Sequence, residues 1–237
     1  MSTPYSACSF TFHDSAMNPH ADIWFAEPPG FTAIPLHSLS TSQGSPAHGE
    51  LRAALGPLLD SAPDDRCRQL LIGRFAAGQQ LLAALGEVGT VHCSIGLHRD
   101  DGGDDAGSEC AGGGVEGQAL LSLFTISWRD IAVAPPAVTA ARAVISGEQF
   151  PHVRIEYLDD LLCGPATLSE TIRTPAGGSG LPRRPLLQVH AHLPHPEGKR
   201  LAVLTLSTTA AHRRESYRLL LRQIAEMVSF EGPVAAS

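Results

Sequence analysis

Apolar and polar positions alternate with period two through much of the second half of this chain, which is the signature of half-buried β-strands. Runs of this kind cover 153–157, 166–173, 186–193 and 201–207. The last two are joined by Pro194-His-Pro-Glu-Gly198, which predicts a hairpin. Earlier, Val91, Cys93, Ile95 and Leu97 alternate with His92, Ser94, Gly96 and His98, and a second strand is predicted over 120–128. Short extended pieces are expected at Asp22–Phe25 and at Phe31–Leu36, the latter interrupted by Pro35 as suits an edge strand.

Helical spacing takes over in four places. Glu50–Asp60 reads as a short helix and Asp64–Leu85 as a long one, with Pro63 near its start and Leu71, Phe75, Leu82 and Leu85 on one stripe. Pro136–Ile145 is predicted as a third. The last opens at Ser207-Thr208-Thr209 and carries Tyr217, Leu220, Leu221, Ile224 and Val228 on one face. Hairpins interleaved with helices in this order predict an α+β protein: a mainly antiparallel sheet of about six to seven strands flanked by helices. One domain spanning 1–237 is expected, with a ragged N-terminus over about 1–20 and a flexible acidic, glycine-rich loop over about 99–117.

The strands 153–207 and the helix that follows resemble the Mog/PsbP-like superfamily, carried mainly by Leu186-Leu-Gln-Val-His-Ala-His-Leu193 and Leu201-Ala-Val-Leu-Thr-Leu206. The resemblance covers about half the chain. It implies a PsbP-like sandwich and a binding or assembly role, since members of that superfamily are mostly adaptors, accessory subunits and chaperones rather than enzymes.

Composition changes this picture little. At 43% hydrophobic and 17% charged residues, the 237-residue chain is an ordinary globular protein. Its net charge of −7 is local, because Asp100, Asp101, Asp104, Asp105, Glu109 and Glu116 share one loop. Without those six of the 24 acidic residues, 18 remain against 17 basic ones, so no general attraction to nucleic acid is expected. Five scattered cysteines with no C-x-x-C pair supply neither a zinc knuckle nor a dithiol motif. The start lacks the layout of a signal peptide, and no apolar run reaches the roughly 18 residues of a membrane span. A cytoplasmic protein with reduced thiols is expected.

Candidate chemistry centres on histidine. His190 and His192 lie two apart on one strand and so share a face, as do His92 and His98 on another. Convergence of these four would make a ligand-binding pocket or a metal site, with Glu156 and Glu170 as carboxylate partners if their strands are neighbours. With no second ligand pair at defined spacing, no metal and no other cofactor is expected. Gly112–Gly117 fits the letters of a dinucleotide fingerprint but precedes a strand, the wrong context. The 100–105 acids lack the register of a calcium loop. Gly177-Gly-Ser-Gly180 falls one glycine short of a nucleophile elbow, and Cys93 reads as buried and inert.

Arg214, Arg218 and Arg222 recur every fourth residue on the last helix. They read as a solvated basic stripe turned away from the apolar face, available to an acidic partner. In the absence of a catalytic motif, the sequence predicts a non-enzymatic adaptor, chaperone or assembly factor whose partner is another protein. The alternative is a small-molecule-binding protein or an enzyme with a pocket lined by the four histidines.

Overall fold

The structure, a computed structural model, describes residues 11–12, 23–28 and 30–34, scattered positions between 36 and 85, and then 89–99, 119–145, 154–174 and 184–231. Most of the expected ragged start, most of the two early helices and the acidic loop lie outside the described residues. Residues 65–69 and 71–73 are helical, as their spacing predicts.

Two sheets form among the described residues. A small one pairs β1 (Thr11–Phe12) with β2 (Ala26–Glu27). The large one has seven strands, all antiparallel. From one edge to the other they are β3 (Phe31–Ala33), β4 (Thr90–Arg99), β5 (Ala119–Asp130), β9 (Arg200–Thr208), β8 (Leu186–Pro194), β7 (Ala166–Arg173) and β6 (Arg154–Leu158). This is the α+β fold that the alternation predicts. The chain builds it from a hairpin, β4–β5, and a four-strand meander, β6 to β9, joined where β5 pairs with β9.

Helices cover both faces. The helix α1 (Pro136–Ile145) carries the chain from β5 to the far edge, and packs on β7 and β8 through Thr139, Ala140 and Val144. Thr167 fixes it by donating its hydroxyl proton to the Ala140 carbonyl at 2.8 Å. The helix α2 (Arg214–Glu226) packs on β8 and β9 from the opposite side. Because side chains alternate along a strand, Thr167, Ser169 and Thr171 face α1 while Leu168 and Glu170 face α2.

The main core lies under α2. Phe124, Ile126, Leu168, Leu187, Val189, Leu204 and Leu206 from the sheet meet Tyr217, Leu221, Ile224 and Val228. Burying a side chain of this size contributes about 1.5–3 kcal/mol. A smaller apolar group, Ile34 and Ile95 with Leu55, Leu97, Leu121 and Leu123, occupies the α1 face at the β3–β4 end.

Three sequence expectations are corrected. Of the strand expected at Asp22–Phe25, the described residues 23–25 form none: Trp24 makes a lone bridge to Ser229, and the extended pairing begins at Ala26. Ser207 and Thr208 do not open the last helix. They continue β9, where the Thr208 hydroxyl donates to the Leu121 carbonyl at 3.0 Å and accepts from the Ala210 amide at 3.2 Å. A 3-10 turn at Ala211–Arg213 then leads into α2. The middle of β4 is buried on both faces rather than one, because Phe25 covers His92 while Ile34 covers the side that carries Cys93 and Ile95.

Candidate functional site

The histidines divide between the two faces of the sheet. His190 and His192 lie on the α1 face, where the register sets His190 opposite Thr205 and Ser169, and His192 opposite Thr167. His190 Nδ1 lies 3.0 Å from the Thr205 hydroxyl and His192 Nε2 lies 3.3 Å from that of Ser169. The two rings are 6.0 Å apart. Beside them Gln188 donates to Ser207 at 3.3 Å. The result is a polar strip across β7, β8 and β9, linked across strands by these three contacts. Ser169 is fully buried, so its hydroxyl offers no approach to a substrate despite its imidazole neighbour.

His92 lies on the α2 face, in the main core. Its ring packs edge-on against Phe25 at 4.7 Å and near Phe124 at 5.8 Å, and its Nε2 lies 3.1 Å from the Glu27 carboxylate. Both members of that pair are buried. His98 stands opposite Leu120 in the β4–β5 ladder, and its side chain lies outside the described residues. The four-histidine pocket is therefore not assembled, because a sheet stands between His92 and the 190/192 pair. Among the described residues, no three His, Cys, Asp or Glu side chains gather as metal ligands do. On the strand face opposite His92, Cys93 has no exposed surface, and burial followed by the charge of Glu27 pushes its thiol up to about 12.

The arginine stripe is where the structure departs furthest from the sequence reading. Arg218 is 4% exposed and points to the sheet, not to solvent. Its guanidinium spans two carboxylates, with Nη2 2.7 Å from Glu156 and Nη1 3.4 Å from Glu170. Arg214 Nη2 closes on the other oxygen of Glu170 at 2.8 Å, and Arg222 pairs with Glu156. Glu156 and Glu170 are on neighbouring strands, as the metal hypothesis required, but they project toward α2, away from His190 and His192. Glu170 has no exposed surface at all. The acidic partner of the stripe is thus the chain's own β6–β7 pair. Five side chains alternate in sign, and a buried charge is tolerable only when paired in this way.

The network also decides which way β6 faces. Arg-Ile-Glu-Tyr-Leu alternates, and the usual expectation turns the apolar set inward. Here Glu156 turns in to meet the arginines, so Ile155 and Tyr157 stand on the α1 face, 44% and 56% exposed. Sequence reasoning missed both residues. The signal was present in the pairing of a Glu-bearing strand with an i, i+4, i+8 arginine stripe.

No family model, curated protein or solved structure matches the chain. No helix among the described residues is long and apolar enough to cross a membrane.

Proposed function

We propose that this protein is a non-enzymatic adaptor or assembly factor that works by binding another protein chain at the β6 edge of its sheet. The observation that carries this reading is the pair Ile155 and Tyr157, large apolar side chains exposed on the strand that ends the sheet among the described residues, its other face anchored by charges. Exposed apolar surface beside an open strand edge is what strand-adding partners use: main-chain hydrogen bonds supply affinity and alternate side chains supply selectivity. The resemblance of residues 153–228 to a superfamily of binding and assembly proteins supports the same reading. The histidines, by contrast, are engaged by Thr205, Ser169 and Glu27, which suits stabilisation of the sheet.

The test is site-specific crosslinking. A photoreactive amino acid replacing Tyr157 is expected to capture a discrete adduct in extracts of the native host, while the same group at Val133, 76% exposed in the segment before α1, captures none above background. Equal labelling at both positions, or none at either, would remove the basis for this proposal.

A further inference from the structure

The chemistry of β6 points to a particular occupant of the edge. We infer that β6 pairs antiparallel with β6 of a second copy of this chain, joining two sheets into one. This rests on the proposal that the β6 edge is the binding surface. β6 is terminal in the sheet, and its five residues are paired only with β7 among the described residues. Every second residue of such a strand directs its amide and carbonyl outward, and these need a partner strand or water.

The side chains select the partner. A two-fold axis perpendicular to the sheet keeps the faces of both copies aligned, so apolar residues meet apolar ones and charged residues meet charged ones. Centred on Ile155, the pairing sets Arg154 opposite Glu156 of the second copy, sets Glu156 opposite its Arg154, and sets Ile155 against itself. Arg154 is half exposed, and among the described residues its ion pair is an exposed one with Glu215 at 3.0 Å, weak enough for the side chain to turn outward. Centred on Arg154 or on Glu156, the same pairing would oppose two like charges, and centred on Tyr157 it would set the Glu156 carboxylate opposite Leu158, all less favourable. Charge therefore picks the Ile155 register. The opposite edge does not share these features, since β3 has only three residues and none of the charge alternation.

Sedimentation of the full chain over a concentration series is expected to show reversible doubling of mass. Ile155→Lys places two like charges at the axis and should weaken the association at least tenfold. The melting curve serves as the check that this exposed position still permits folding. The register is tested by Ile155→Cys. Directly opposed residues bring their Cβ atoms about 4.5–5.5 Å apart, close to disulfide geometry. Diamide, which takes up the two thiol hydrogens as the S–S bond forms, should then yield a covalent dimer at least tenfold more efficiently than with Tyr157→Cys or the unaltered chain. A chain that stays monomeric throughout, or a dimer indifferent to Ile155→Lys, would overturn self-pairing. Equal crosslinking at 155 and 157 would overturn the register. A monomer that still gives a Tyr157 photoadduct with another protein sinks self-pairing alone, whereas a monomer giving no adduct sinks the β6 binding surface with it.

Discussion

Replacing Arg218 with alanine should be among the most destabilising single changes on the last helix. The side chain is 4% exposed, and its two outer nitrogens lie 2.7 Å from Glu156 and 3.4 Å from Glu170. Truncation leaves Glu156 with Arg222 on one oxygen, and Glu170, which has no exposed surface, with Arg214 alone. Removing one member of a buried ion pair costs about 3–5 kcal/mol, because the remaining charge stays desolvated. Since each carboxylate keeps one arginine here, about 3 kcal/mol is expected. Arg218→Lys should cost less, about 1–2 kcal/mol, as an ammonium supplies a charge but cannot span both carboxylates with a planar fork. Arg218→Ala combined with Glu170→Gln should cost less than the sum of the two single changes by about 0.5–3 kcal/mol. Urea unfolding followed by far-ultraviolet circular dichroism measures all of this, as a shifted midpoint at constant slope. A loss of under about 0.5 kcal/mol for Arg218→Ala, the value ordinary for a solvated residue, would show that the stripe faces outward and that the network is not formed.

Other positions give independent checks. Ile224, fully buried under α2, should cost about 2–5 kcal/mol when cut to alanine, measured by the same unfolding assay. Gly198 has φ of 71° in the β8–β9 turn, and a Cβ there would lie 2.8 Å from the Ala134 carbonyl oxygen, so Gly198→Ala should lower stability by at least about 1–2 kcal/mol. Cys93 should resist iodoacetamide near neutral pH until denaturant is added, as mass mapping of the modified cysteines would show. Its folded thiol ionises at about 12, and an unfolded one near 8.5. Its contribution to stability is therefore complete below pH 8.5 and is lost as pH rises toward 12, a slope that Cys93→Ala should reduce.

The strands were legible because their alternation is local. β7 occupies the predicted 166–173, and α1 the predicted 136–145. Which side of an element faces inward depends instead on what another element brings to it. In the last helix, Arg218 precedes Ala225 by seven residues, or nearly two full turns, so the stripe borders the apolar arc rather than opposing it. Hydrophobicity alone assigned it to solvent. Only the presence of Glu156 and Glu170 across the gap turns it in. The division of the histidines was hidden for a related reason: alternation shows that His190 and His192 share a face, and that His92 has one, but not whether the two faces coincide. That depends on how β5 meets β9.

The seam between β5 and β9 also sets a delay during synthesis. β5 ends at Asp130 and finds its inner neighbour only when β9, at 200–208, has been made. At roughly 5–20 residues per second, synthesis from there through the end of β9 keeps a ribosome occupied on the order of 4–16 seconds. For that interval the twelve-residue β5, with Phe124 and Ile126 among its side chains, presents an open backbone edge beside apolar side chains, far longer than β3 or β6, the edge strands among the described residues. The nascent hairpin is therefore the stage at which this chain most needs a chaperone's cover, and a slower passage through residues 131–199 would lengthen that need in proportion.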